Sequence, residues 1–90
     1  MTGAMHRGHY IRPLPEADKG HWNVLIMVEV HAKGQVEKIH YRDPAHSYAS
    51  REEAEAAGVE FGRQMIENFI VPAYGEGDLQ GEARGSIDLR

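Results

Sequence analysis

Two extended apolar runs joined by a short polar turn constrain this chain more than any other feature. The first run is WNVLIMVEVH (residues 22–31) and the second is QVEKIHYRD (residues 35–43). Their length and their Val and Ile content are typical of β-strands, and Pro44 is expected to end the second strand because it lacks an N–H donor. The runs therefore predict an antiparallel hairpin with Lys33-Gly34 at its turn.

The charges on the two strands favour one register of this hairpin. With a two-residue loop, Val30 lies opposite Glu37 and Glu29 lies opposite Lys38. A three-residue loop would place Glu29 opposite Glu37, and like charges directly opposite each other are unfavourable. A slip by one residue also turns the side chains of one strand to the other face of the sheet. We therefore predict the register of the two-residue loop. A four-residue loop would leave the same side chains on each face of the sheet.

This register gives the hairpin two different faces. The predicted core face carries Trp22, Val24, Ile26, Val28, Val30, Ile39 and Tyr41. The opposite face, called the outer face below, carries Leu25, Met27, Glu29, His31, Val36, Lys38, His40 and Arg42. The outer face thus mixes three apolar side chains with basic and imidazole groups, and it is expected to lack aromatic side chains.

The segment SREEAEAAGVEFGRQMI, residues 50–66, predicts a long helix. Ser50 is a suitable N-cap, and Glu53 completes a capping box three residues later. Pro72 and Gly75 predict an end near residue 70. Helical spacing places Ala54, Ala57, Gly58, Phe61, Gly62, Met65 and Phe69 on one apolar stripe, and Val59, Ile66 and Ile70 on a second line turned away from it.

Two glycines in the first stripe, Gly58 and Gly62, predict close approach of the helix backbone to the sheet. Each glycine costs up to ~1 kcal/mol relative to Ala inside a helix. Tight packing against a bulky neighbour such as Trp22 or Tyr41 would offset that cost. The alternative is that both glycines are tolerated without a packing role.

The flanking segments complete the expected domain organisation. Residues 9–14, HYIRPL, predict a short edge strand because the prolines near its end cannot donate to a sheet ladder. Residues 1–8 are expected to be disordered, and residues 73–90 to form an acidic, Gly-rich tail. The predicted fold is α+β: a three-stranded antiparallel sheet with one long helix packed on one face (β-β-β-α), spanning residues 9–72.

The composition of the 90-residue chain narrows the possible functions. It contains no cysteine, which removes disulfides and thiolate metal sites. No stretch approaches the ~20 apolar residues of a membrane helix, and no signal sequence is evident, so we expect a cytoplasmic protein without membrane contact. The net charge of −4 argues against a general nucleic-acid binder, although residues 1–49 are nearly neutral and hold all six histidines.

The sequence predicts no catalytic residue, metal site or cofactor. His31 and His40 share the outer face, but they lie ~13 Å apart along the ladder, too far for one ion. His40, Asp43 and His46 are close in sequence, yet a general base needs a positioned partner and a pocket. No nucleophile motif or phosphate-binding loop is present.

The outer face instead predicts self-association. A helix on the core face cannot cover the apolar side chains of the outer face, and exposed apolar clusters often mark interfaces. The predicted interface consists of Leu25, Met27, Val36, Ile66 and Ile70. We therefore expect a homodimeric interaction or regulatory module, with another protein as a further partner class. The alternative is a nucleic-acid-associated protein whose contacts are His31, Lys38, His40 and Arg42.

The aromatic first strand HYIRP, the Trp-led strand HWNVLIMVEV and the S-x-E-E-A helix start at residues 50–54 resemble short uncharacterised βββα domains of proteobacterial proteins. The resemblance covers about residues 9–70 and implies the same fold in a bacterial protein. The element order and the E-E-A helix start are also similar to the HicB-like antitoxin domain. That similarity would imply dimerisation and binding to a toxin or an RNA-related partner, and neither resemblance implies a catalytic residue.

Overall fold

A computed structural model describes residues 3–79 of the chain. Its strands are β1 (Ala4–His6), β2 (His9–Pro13), β3 (Glu16–Asp18), β4 (His21–Ala32) and β5 (Gln35–Tyr48). They are followed by α1 (Arg51–Met65), a π-helical turn (Ile66–Ile70) and α2 (Val71–Tyr74). The fold is α+β with an antiparallel sheet and one long helix, as predicted, but the sheet has five strands rather than three. Residues 80–90 of the predicted tail lie outside the described residues.

All paired strands of the sheet are antiparallel. β1 pairs with β2, both β2 and β3 pair with one side of β4, and β5 pairs with the other side of β4. The Leu14 N–H donates to the Leu25 carbonyl at 2.7 Å, which continues the ladder between β2 and β3. Because β2 and β3 lie end to end along β4, β1 and β3 form one edge of the sheet and β5 forms the other.

Three two-residue turns join successive strands. Positive φ angles occur at Arg7 and Gly8 (54° and 80°), at Lys19 and Gly20 (52° and 86°) and at Lys33 and Gly34 (57° and 75°). Positive φ at both central residues defines the type I′ turn, which matches the twist of a hairpin. Only the third turn was predicted from the sequence. Residues 4–8, within the segment expected to be disordered, instead form β1 and the first turn, which contains the same basic–Gly pair.

The predicted register of the β4–β5 hairpin is confirmed. Glu29 lies opposite Lys38, and Val28 lies opposite Ile39. The predicted strand end at Pro44 was wrong. Asn23 pairs with Ser47 and Val24 with Asp43, so β5 continues past Pro44 through a bulge of residues 44–46. A bulge leaves residues out of the ladder, which is why proline is tolerated there.

Ser50 caps the N-terminus of α1 as predicted, because its Oγ accepts a hydrogen bond of 3.1 Å from the Glu53 N–H. The helix packs on the face of the sheet that carries the β4 valines and Ile26. The central core cluster consists of Ile11, Ile26, Val28, Val30, Ile66 and Ile70. The core therefore joins β2 and β4 to the C-terminal half of the helix.

The interface role predicted for Ile66 and Ile70 was wrong, because both are buried in this core at 0% and 1% exposure. Phe69, which the sequence placed on the core stripe, is 57% exposed. The prediction assumed a regular α-helix, in which positions four apart drift by about 40° around the axis. The Val71 N–H instead bonds to the Ile66 carbonyl, and this wider π-helical turn counters the drift and directs Ile70 toward the sheet.

The predicted close approach at the two helix glycines is present, but the neighbours differ from those expected. A Cβ added to Gly62 would lie 2.6 Å from Ile11 Cγ2, and one added to Gly58 would lie 3.1 Å from Ile26 Cγ2. The helix backbone thus lies directly over β2 and β4. This position leaves β5 at the margin of the helix-covered face.

Candidate interaction surface

The outer face is built from three neighbouring strands whose side chains line up in rows. The rows are Tyr10–Glu29–Lys38, Arg12–Met27–His40 and Leu14–Leu25–Arg42. Tyr10 belongs to β2, so the expectation that this face lacks aromatic side chains was wrong. No part of α1 lies on this face, because the core contacts of the helix are all on the other side of the sheet.

The apolar part of the outer face is less exposed than the sequence suggested. Met27 lies between Arg12 and His40 and retains only 7% exposure, and Leu25 is half-buried. Val36, near the turn, is 56% exposed. Of the residues predicted for the interface, Val36 is therefore the one that offers a large apolar surface.

The charges on the outer face are partly paired. The Arg12 guanidinium lies 5.4 Å from the centre of the Tyr10 ring and 3.8 Å from a Glu29 oxygen. Glu29 also forms a 3.2 Å contact with His31 Nε2. Arg42 lies 3.5 Å from Glu16. This leaves two of the predicted nucleic-acid contacts, His31 and Arg42, beside carboxylates.

The outer edge of β5 is unpaired along the described chain. In a two-residue hairpin the residues that flank the turn exchange both hydrogen bonds, so Gln35 and every second residue after it bond to β4. The intervening residues direct their backbone N–H and C=O groups away from β4. These residues are Val36, Lys38, His40 and Arg42, and no other strand of residues 3–79 pairs with them.

The opposite corner of the sheet is closed by residues 75–79, called the strap below. The strap N–H groups of Gly77 and Leu79 donate to the carbonyls of Arg7 and Gly8 at 2.7 and 3.1 Å. The Asp78 N–H donates to the His31 carbonyl at 2.8 Å. The strap thus ties the β1–β2 turn to the end of β4.

His9 is fully buried beneath the strap. Its Nδ1 accepts a 3.1 Å hydrogen bond from the His31 N–H, so the proton resides on Nε2, which donates to the Gly75 carbonyl at 3.0 Å. Both ring nitrogens of the neutral imidazole are therefore satisfied. His9 serves as a structural link between β2, β4 and the strap.

Ion pairs fasten β1 and its turn to the C-terminal end of the helix. Arg7 donates to Glu67 at 2.7 Å and to Glu76 at 2.9 Å, and His6 contacts Glu67 at 2.8 Å. The hydrogen bonds with Arg7 and then His6 lower the pKa of the Glu67 carboxyl, and the bonds that Arg7 donates to Glu67 and Glu76 raise the pKa of Arg7. The group is exposed to solvent and acts as an attachment between elements.

Asp43 and His46 form a pair in the bulge of β5. His46 Nδ1 lies 3.0 Å from Asp43, which also accepts the Ala45 N–H at 2.9 Å. Partial burial raises the pKa of the Asp43 carboxyl, but these two hydrogen bonds outweigh burial and hold its pKa below the usual value. The side chain of His46 is 64% exposed, beside a shallow cleft of about 250 Å³. These contacts hold together residues 43–46, where the strand bulges.

Within residues 3–79, no group of three or more His, Asp or Glu side chains is arranged to hold a metal ion. In the same part of the chain, no helix is both long enough and apolar enough to cross a membrane.

Comparisons with protein-family models, with curated proteins and with solved structures find no match for this chain. Its function must therefore be inferred from its own surfaces. The free edge of β5 was not predicted from the sequence, although the sequence contains a signal for it. A strand that leads directly into a helix has only its preceding hairpin partner unless another part of the chain returns to it.

Proposed function

We propose that this protein is a non-catalytic interaction module that forms a homodimer by pairing the free edges of two β5 strands. The observation that carries the proposal is the unpaired edge of residues 36–42. Such an edge is a template for a further strand. A second copy of the same strand can pair with it antiparallel about a two-fold axis, the commonest symmetry of homo-oligomers.

The geometry of β5 favours a two-fold axis at Ile39. The regular part of the strand runs from residue 35, after the turn, to residue 43, before the bulge, and Ile39 is its midpoint. An axis there places Lys38 opposite His40 of the second copy and Val36 opposite its Arg42. All four residues are those whose N–H and C=O groups face the free edge, so each pair exchanges both backbone hydrogen bonds.

Neighbouring registers bring like charges together. An axis at Lys38 would place this side chain against its own copy. An axis at His40 would place Lys38 opposite Arg42 and Glu37 opposite Asp43. Like charges directly opposite each other destabilise a strand pair. The axis at Ile39 instead places Glu37 opposite Tyr41, and is the register we propose.

Apolar contacts support the same arrangement on both faces. Ile39 is half-buried on the helix side and would contact its own copy across the axis. Val36 would pack beside the aliphatic stem of Arg42 on the outer face. Complete burial of one such aliphatic side chain contributes roughly 1.5–3 kcal/mol. The exposed Val36 would thereby gain a partner that its own chain does not supply.

A single cysteine at the axis tests this register, because the natural chain has no cysteine. Residues at a non-hydrogen-bonded pair have Cβ atoms ~4.5–5.5 Å apart, within reach of a disulfide after a small adjustment. Ile39→Cys is expected to form a covalent dimer under mild oxidation. Glu37→Cys is the matched control, since residue 37 and its copy would lie ~13 Å apart along the strands.

The readout is the covalent dimer fraction on a non-reducing gel, with solution mass from light scattering and fold from circular dichroism. Rapid cross-linking of Ile39→Cys alone would support the proposal. Equal cross-linking of both variants would contradict the register. A monomeric parent protein whose Ile39→Cys variant does not cross-link would overturn the dimer itself.

A further inference from the structure

The strand β5 separates its charges by face. Lys38, His40 and Arg42 point to the outer face, whereas Glu37 and Asp43 point to the helix side. The outer side of the regular part of β5 therefore carries basic and imidazole groups without a carboxylate. The acids of α1, namely Glu52, Glu53, Glu55 and Glu60, lie on the element that covers the other face of the sheet. The net charge of −4 conceals this separation.

Pairing of two β5 strands would double this basic surface. With the axis at Ile39, Lys38 of each copy lies beside His40 of the other, and neighbouring strands are ~4.8 Å apart. Two copies of Lys38, His40 and Arg42 would then form one patch across the axis. Two carboxylates border this patch, namely Glu29 on the adjacent strand β4, opposite Lys38, and Glu16, which lies 3.5 Å from Arg42.

We propose that the outer face at this two-fold axis binds single-stranded nucleic acid through its phosphates, an inference that rests on the proposed dimer. Charge complementarity selects a polyanion, since Lys and Arg supply the contacts that release counterions from phosphates. A flat sheet face that carries aromatic side chains suits unpaired bases, which can stack on rings. Duplex DNA requires an element that enters a groove.

The rows of the outer face extend the patch beyond β5. One row of the dimer runs from Tyr10 through Glu29 and Lys38 to His40, Met27 and Arg12 of the second copy. Its five strand-to-strand steps span about 24 Å, at ~4.8 Å each. The two-fold axis repeats this row in the opposite direction, so a Tyr10 side chain lies at each end of the phosphate-binding centre. There its ring and the stacked Arg12 guanidinium offer a surface for a base.

The carboxylates on the outer face form only weak ion pairs with the arginines. The Arg42–Glu16 and Arg12–Glu29 distances are 3.5 and 3.8 Å. Charge-assisted hydrogen bonds of full strength are shorter, about 2.7–2.9 Å. Both arginines are also half-exposed or more. A phosphate can therefore recruit these guanidinium groups without breaking a buried ion pair.

The experiment measures fluorescence anisotropy of a labelled 20-nucleotide oligo(dT) over a series of salt concentrations. The parent protein is expected to bind, with an affinity that falls steeply as salt rises. Lys38→Gln is expected to weaken binding and to reduce the slope of log K against log salt by about 1.4, from two lost phosphate contacts at ~0.7 each. Lys19→Gln removes the same charge from an exposed turn outside the patch and is expected to leave binding unchanged.

Light scattering of the same samples separates the two proposals. A dimer that does not bind oligo(dT), or one whose affinity falls equally in Lys38→Gln and Lys19→Gln, would overturn the nucleic-acid site and leave the dimer intact. A monomeric parent protein would overturn the two-fold site together with the dimer. Tighter binding of a 20-base-pair duplex than of oligo(dT) would overturn the assignment to single strands.

Discussion

The two edges of the sheet differ in length and in how they are held by other parts of the chain. At one edge, β1 is three residues long, and its turn is held by the strap and by the ion pairs of Arg7 with Glu67 and Glu76. At the other edge, β5 is 14 residues long. Its regular part is bonded on one side only. Proteins commonly protect sheet edges by keeping the edge strand short, so the contrast supports β5 as the edge of the proposed dimer.

The position of the helix contributes to this asymmetry. Gly62 brings α1 against Ile11 of β2, and Gly58 brings it against Ile26 of β4. β5 consequently lies at the margin, where Ile39 and Tyr41 are only half-buried. Partial burial raises the pKa of the Tyr41 hydroxyl. A second copy at β5 would bury the parts of Ile39 and Tyr41 that the helix leaves exposed.

Proline substitutions at the two edges give the largest expected difference. The N–H groups of His40 in β5 and Met5 in β1 both point away from the neighbouring strand, by the hydrogen-bond alternation that follows a two-residue turn. Proline at either site removes an edge donor without removing a ladder bond. We expect His40→Pro to convert the dimer to a monomer, and Met5→Pro to leave the dimer intact, in light-scattering measurements.

His40→Thr separates the loss of the imidazole from the loss of the N–H and is expected to remain dimeric. Dimers for both proline variants would show that β5 is not the interface. Monomers for both would show that the two edges contribute alike, and the contrast drawn between them would fail.

Much of the sheet could be predicted from the sequence because its determinants are local. The pairing of Glu29 with Lys38 was enough to select the register of the central hairpin. The turn at Lys19-Gly20 was missed although it has the same chemistry as Lys33-Gly34. Its flanking strand β3 is three exposed residues without an apolar pattern, and pairing with β4 makes it a strand.

The candidate interface was harder to predict because burial depends on distant contacts. Ile66 and Ile70 were assigned to the surface by an ideal α-helical projection. Ile66 instead follows Gly62 by four residues on the face that packs against the sheet, and the π-helical turn directs Ile70 to the same face. Met27 lies on the face without a helix, yet its own neighbours in the sheet cover it. Val36 alone kept the large exposure that the sequence suggested, because it lies beside the turn at the open edge.

Substitution of His9 tests how much the contacts between β2, β4 and the strap contribute to the free energy of unfolding. His9→Ala would leave the His31 N–H without its acceptor and create a cavity, so we expect a loss of about 3 kcal/mol in the free energy of unfolding. His9→Asn places an oxygen near the position of Nδ1 and should recover about 1 kcal/mol of that loss. Urea denaturation and amide hydrogen exchange of His31 measure both effects.

His21→Ala is the control for this series, because His21 is exposed, and it should change stability by less than ~0.5 kcal/mol. The dimer mass of all three variants should match that of the parent protein, since neither His9 nor His21 lies on β5. Equal stability of His9→Ala and His21→Ala would show that the hydrogen bonds of the His9 side chain add nothing to the stability of the fold.

The smallest effect is expected where the helix meets the sheet. In Gly62→Ala the new methyl group would lie within 3.0 Å of three Ile11 carbons, and overpacking of this kind costs ~1–3 kcal/mol. The higher helix propensity of Ala offsets up to ~1 kcal/mol of this cost. Urea denaturation should therefore show a net loss of about 1 kcal/mol in the free energy of unfolding. Gly58→Ala meets Ile26 at 3.1 Å and should be nearly neutral. If both variants stabilise the protein equally, Gly62 does not set the position of the helix, and the exposure of β5 must have another cause.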